Sequence, residues 1–161
     1  MDPETREFIA RISVFGAIPD EALEVLMPLI VERSFAAGEH VVTEGEPGKE
    51  MFVVRGGRLE VRKRLGPDLG ETVLATLGEG DCFGEMSLID IQPRSASVVA
   101  VADSRLWVLN NMDLYRLYKL NLEAYAILVQ NISRELSRRV RRADRVIVEF
   151  SIQARDDEDR G

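Results

Sequence analysis

Two residue types that enzymes and metalloproteins rely on are almost missing from this 161-residue chain, which has one cysteine, Cys82, and one histidine, His40. A lone cysteine excludes an internal disulfide and cannot build a zinc site by itself. A lone histidine, with no serine-histidine-acid set, HExxH motif or paired carboxylates beside it, leaves little for general acid–base chemistry. Neither an enzyme nor a metal protein is expected, and His40 and Cys82 read as structural. No apolar run approaches the length of a membrane span. The opening Met1-Asp2-Pro3-Glu4 is acidic and leads into no apolar h-region, so neither a secretory signal nor a membrane partner is expected, and the cytoplasm is the expected location. Positive charge is also short. Twenty-one Lys and Arg face 28 Asp and Glu, a net charge of −7, and such a chain as a whole does not seek nucleic acid. Gly78-x-Gly80 is a turn, because no Gly-Lys-Ser/Thr follows it.

What is present is the composition of one soluble domain, 45% hydrophobic and 30% charged. Phe8, Ile9 and Ile12 mark one helix face, and Pro19 starts a second helix carrying Leu23, Leu26 and Met27. From Glu32 the period changes to short β-rich runs: Val41-Val42, Met51 to Val54, Leu59 to Arg64, Thr72 to Leu77, Ser97 to Val101 and Leu106 to Leu109. Turn signals separate them, among them Gly45, Pro47-Gly48, Gly56-Gly57 and Gly66-Pro67, which predicts a sandwich or barrel. Trp107 reads as core or rim.

Helix returns at Asn111 and runs to about Ile152. Val129, Ile132, Leu136, Arg139, Ala143, Val146 and Phe150 form a seam in steps of three and four, with an arginine at one d position. A helix with this seam can lie on its own barrel, pair with a second copy or do both; because the seam outruns a small barrel, a homodimer through this helix is the expectation. Six arginines against two acids between residues 134 and 145 read as the solvated flank of a coiled coil, as a ligand-capping or partner surface, or as a nucleic-acid contact. Asp156-Asp157-Glu158-Asp159 reads as a disordered tail.

The chemistry concentrates in Phe83-Gly84-Glu85-Met86-Ser87-Leu88 and, six residues on, Arg94-Ser95-Ala96-Ser97-Val98. Gly84 lets a backbone approach a ligand closely, and a short helix from Glu85 points free amides at an anion. The Arg94 guanidinium forks onto a phosphate, and the Glu85 carboxylate accepts from hydroxyls. A ligand with one phosphate charge beside a free hydroxyl satisfies all three, as a 3′,5′-cyclic nucleotide does. On Glu85 and Arg94 alone, an internal ion pair at a barrel mouth reads equally well.

Read together, these residues resemble the phosphate-binding cassette of the cyclic nucleotide-binding domain family, which includes the catabolite activator protein, kinase regulatory subunits and cyclic-nucleotide-gated channels. The family pattern is met without a gap from Phe83 to Val98, and Gly38 to Glu46, Glu50 to Val54 and Gly57 to Val61 look like its early strands. The resemblance implies a mainly β fold with flanking helices: a jelly-roll-like β-roll over 32–110 with its cassette at 83–98, N-terminal helices over 1–31, B and C helices over 111–152, and the acidic tail at 153–161. By motif position it implies Arg94 on the cyclic phosphate and Glu85 on the ribose 2′-hydroxyl. Phe83, Gly84, Met86, Ser87, Leu88, Ser95 and Ala96 complete the ligand site. Ser95 stands where threonine often accompanies cGMP, which leans toward cAMP. Two departures follow. No helix-turn-helix comes after the C helix, so direct DNA binding is not expected. The family's adenine-reading Thr-Ser pair is missing, and Arg138-Arg139-Val140 stands at the comparable turn, which makes Arg139 a site residue and leaves cAMP against cGMP open. The expected function is a cyclic nucleotide receptor that signals to an effector protein through the C helix. The alternatives are a scaffold on the same fold that binds no nucleotide, or a transcription-related regulator acting through a partner.

Overall fold

The computed structural model of the chain describes residues 1–90 and 92–158, without the side chains of 156–158. Two four-stranded antiparallel sheets face each other, with helices against the outer face of one sheet. The strands are β1 (Val31–Phe35), β2 (His40–Val42), β3 (Glu50–Gly56), β4 (Leu59–Arg64), β5 (Glu71–Leu77), β6 (Cys82–Phe83), β7 (Ser97–Ala100) and β8 (Ser104–Asn110). One sheet has the order β1-β8-β3-β6 and the other β2-β7-β4-β5.

The side-chain alternation of β3 and β8 divides the core in two. In register, Met51 lies opposite Leu109 and Phe52 opposite Val108. Phe52, Val54, Leu106 and Val108 point into the roll and meet Leu59, Phe83 and Val98. Met51, Val53, Trp107 and Leu109 point out and are covered by helices. Both faces are therefore buried, which is why these strands read as continuous apolar runs. Trp107 is core, with its ring centroid 5.2 Å from that of Phe8 in an edge-on pair.

The covering helices are α1 (Pro3–Arg11) and α2 (Asp20–Leu26), then α4 (Asn111–Leu120) and α5 (Leu122–Glu158). The helical stretch divides at Asn121 into two helices, as the resemblance implied; the Asn121 side chain accepts from the Ala124 amide at 2.9 Å and so caps the start of α5. Ala124, Leu128 and Ile132 of α5 are fully buried against the roll. Asn131, also buried, donates to the carbonyls of Val14 and Gly16 and ties the helix to the N-terminal turn Ser13–Phe15.

One expectation changes and one open alternative is resolved in part. The helix continues to Glu158, so residues 153–158 are not a disordered tail; adding residues to an existing helix costs little once it is nucleated. The rest of the predicted tail, 159–161, lies outside the described residues. The seam also divides. Val129, Ile132 and Leu136 pack on the chain's own core, whereas beyond Arg139 the exposed apolar residues include Val140, Ile147 and Phe150.

Candidate functional site

Strand β6 ends at Gly84, which turns the chain with φ of 78° into α3 (Glu85–Ile89). A Cβ at Gly84 would lie 2.6 Å from the Glu50 carbonyl and 2.7 Å from Arg94 Nη1. The glycine therefore makes room for Arg94, where the sequence suggested room for a ligand. Gly48 does the same from the other side, since a Cβ there would lie 2.6 Å from Arg94 Nε and 2.5 Å from Ser87 Oγ. Sequence reasoning missed this role, because Pro47-Gly48 carries only a turn signal.

Arg94 is fixed by its backbone as well. Its amide donates to the Glu46 carbonyl and its own carbonyl accepts from the Gly45 amide, each at 2.8 Å. The residue is buried, and Nη1 donates to the Glu50 carbonyl at 2.9 Å. Among the described residues no carboxylate lies within salt-bridge distance of it. Burial accordingly pulls its pKa below the ordinary arginine value, against the attraction of Glu50 and Glu85. An ionised group held this way is costly unless an anion arrives.

Glu85 is 1% exposed. Its Oε1 accepts from Arg139 Nη1 at 2.7 Å, and its Oε2 is buried with no hydrogen-bond partner among the described residues. Burial pushes the carboxyl pKa up, and the Arg139 charge pulls against that shift. The internal Glu85–Arg94 ion pair allowed by the sequence does not form. Glu85 pairs instead with α5. Arg139, read as a d-position residue of a dimer seam, faces its own roll, where Nη2 also donates to the Cys82 carbonyl. The seam assignment fails here because Glu135, Arg139 and Arg142, spaced four and three, share the helix face turned toward the roll.

These groups border one cavity of about 540 Å³, a size suited to a small ligand. Phe83, Gly84, Glu85, Met86, Ser87, Arg94, Ser95, Ala96 and Arg139 all line it. Leu88 does not; it is buried in the core beneath the helices. Val42, Val61, Ala75 and Leu77 add apolar wall, and α5 adds Glu135 and Arg142, which the sequence reading did not single out. Burial, joined by the Glu85 charge, pushes the Cys82 thiol up to about 12, so it stays protonated and is no nucleophile. One cavity thus presents a buried cation without a counter-ion and a buried carboxylate oxygen without a donor among the described residues.

Residues 32–121 match the family model described as cyclic nucleotide-binding domain. The chain is 33% identical over 132 residues to a cyclic AMP receptor protein of Thermus thermophilus, covering 81% of this chain and 58% of that protein. It is 31% identical over 99 residues to a CRP-like cAMP-activated global transcriptional regulator of Mycobacterium tuberculosis, covering 62% and 44%. The chain thus spans about half the length of the curated relatives it matches. Among solved structures, a cyclic nucleotide-binding domain from Methylobacillus flagellatus superposes with a TM-score of 0.79 at 29% identity, covering 89% of this chain and 80% of that one.

Proposed function

Because the chain belongs to the cyclic nucleotide-binding domain family, we propose that its roll receives a 3′,5′-cyclic nucleotide and passes the signal through α5 to a partner protein. One observation carries the reading: Arg94 without a carboxylate and Glu85 Oε2 without a donor border the same cavity. A cyclic phosphate supplies the missing charge to the Arg94 guanidinium through charge-assisted hydrogen bonds. The ribose 2′-hydroxyl, free when phosphate bridges O3′ and O5′, donates to Glu85 Oε2. Gly84, Met86, Ser87, Ser95 and Ala96 surround phosphate and sugar, with Phe83 closing the wall. Leu88 serves from the core by fixing α3. A 2′,3′-cyclic isomer has no 2′-hydroxyl to offer, and a 5′-monophosphate brings an extra charge; leaving a buried polar group unpaired costs about 1–3 kcal/mol.

Output follows from the same carboxylate. The ligand uses Oε2 while Oε1 keeps Arg139, so occupancy of the sugar site is felt on α5 through one side chain. The cassette draws inward, residues 111 to 124 reposition, and α5 closes over the base. A partner preferring the closed form raises nucleotide affinity by the factor through which nucleotide raises its own. The exposed apolar face beyond Arg139 supports pairing with a second copy. The function is that of a sensor in the cytoplasm, acting by binding and not by catalysis, with residues 1–161 as one domain. Calorimetric titration of the full chain tests this. Binding of cAMP or cGMP that Arg94→Ala abolishes is the expected result, and no heat from either nucleotide at millimolar concentration rejects it in favour of a scaffold.

A further inference from the structure

The base end of the cavity offers few polar groups, and most are already engaged. Val42, Val61, Ala75 and Leu77 give apolar surface for the faces of a flat heterocycle, with Thr76 beside them able to donate or accept. Of the acids on the cavity, Glu135 accepts from Ser13 and Arg138 and lies beside Arg139, and Asp81 accepts from the Gly78 amide. Asp90 closes α3 within the cassette. Of the cations, Arg94 is fixed on Glu50 at the phosphate end, and Arg139 is spent on Glu85 and the Cys82 carbonyl. Arg142 remains. It lines the cavity one turn beyond Arg139 on the same face of α5, and among the described residues it has no hydrogen-bond or ion-pair partner.

A guanidinium has donors only, arranged as a rigid fork. The purine edge that fits it presents two neighbouring acceptors, O6 and N7, as guanine does; adenine sets an N6 amine donor beside N7, which meets the fork donor to donor. Adenine needs instead an acceptor for that amine; Glu135 and Asp81 already accept other hydrogen bonds, Asp90 belongs to the cassette, and the Thr76 hydroxyl is a single neutral acceptor, weaker than an ionised fork on O6 and N7. We propose that Arg142 is the base-selecting residue of this site and that it favours 6-oxopurine cyclic nucleotides, cGMP above cAMP. Ser95 leans the other way by resemblance, but a hydroxyl accepts and donates equally well, whereas an ionised fork cannot accept. The inference rests on the receptor reading above and adds the identity of the base.

The full chain is titrated with cGMP, cAMP and cIMP, the last carrying O6 and N7 without the 2-amino group. The expected result is that cGMP and cIMP both bind at least about tenfold more tightly than cAMP, the lower end of what a forked base contact gives. In Arg142→Ala and in Arg142→Lys, which keeps the charge and loses the fork, the cGMP-to-cAMP ratio falls to within about threefold. Arg142 is exposed, and circular dichroism checks that both variants fold. Equal or tighter cAMP binding by the unmodified chain, cIMP grouping with cAMP, or a ratio unchanged in either variant overturns the assignment while leaving the receptor standing. Failure of all three nucleotides to bind overturns both.

Discussion

Arg94 is surrounded before any ligand arrives, by Gly84 on one side, Gly48 on the other and the Glu50 carbonyl at its tip. A methyl group at Gly84 meets a backbone carbonyl as well as the guanidinium and forces a left-handed φ on alanine. Gly84→Ala is expected to cost about 1–3 kcal/mol of stability together with ligand affinity, measured by chemical denaturation and titration. Arg94→Ala behaves differently. It removes a buried charge that pairs with no carboxylate among the described residues and that burial disfavours, so the unliganded chain keeps or gains thermal stability while nucleotide binding disappears. A marked fall in the unliganded melting temperature contradicts that account.

Glu85 gives a pH signature with a definite sign. Its pKa is raised on folding, so the native state holds a proton that the unfolded chain has released across the window between the two values. Its contribution to unliganded stability is complete below the ordinary glutamate pKa and is lost as pH rises through the raised one. Nucleotide affinity runs in the opposite direction, increasing with pH over that window because the 2′-hydroxyl donates more strongly to an ionised carboxylate than to a protonated one. Urea unfolding and titration between about pH 4 and about pH 8 should show both slopes, and Glu85→Gln should flatten both.

At the scale of elements, α5 does two jobs on adjacent faces. Its first half seals the core, with buried Asn131 holding two carbonyls of the N-terminal turn region. Asn131→Leu leaves those acceptors short and is expected to cost about 1–3 kcal/mol in a denaturant midpoint. Its second half extends past the roll with Val140, Ile147 and Phe150 exposed. Replacing Val140 and Ile147 with aspartate is expected to turn a dimer into a monomer by sedimentation, without unfolding the roll.

Much of this architecture was legible. The strands of β3, β4, β5 and β8 show as β-rich runs between glycine turns, and the cassette shows as a motif, because each depends on local spacing. That two helices fill 111–152 came from the resemblance alone; the point of division at Asn121 was not legible, since asparagine there acts as a cap and no proline or glycine marks it. Two-residue β6 is too short to give a period, and its pairing with Phe52 and Val53 exists only in three dimensions. The heptad count placed Arg139 in a dimer seam because periodicity reports that a face exists and cannot say what it meets. Likewise, the burial of Glu85 and its pairing with α5 span 54 residues, which no local pattern encodes. Gly48 looked like an ordinary turn for the same reason.

For the whole molecule, the site couples the two layers. The roll supplies Arg94 and Glu85, and the helical layer answers through Arg139. A ligand that binds only the folded chain must stabilise it by about 2.7 kcal/mol at a hundred times the dissociation constant, so its melting temperature must rise with ligand concentration. A bound cation-and-carboxylate clamp should also recognise the ring closure itself, since only one isomer offers a single phosphate charge beside a 2′-hydroxyl. The decisive measurement is therefore a side-by-side calorimetric titration of the full chain with the 3′,5′-cyclic and 2′,3′-cyclic isomers of one nucleotide. The account predicts saturable binding of the 3′,5′ form and affinity at least about tenfold weaker for the 2′,3′ form, the loss expected when a buried acceptor is left unpaired. Equal affinity for the two isomers, or none for either, contradicts it.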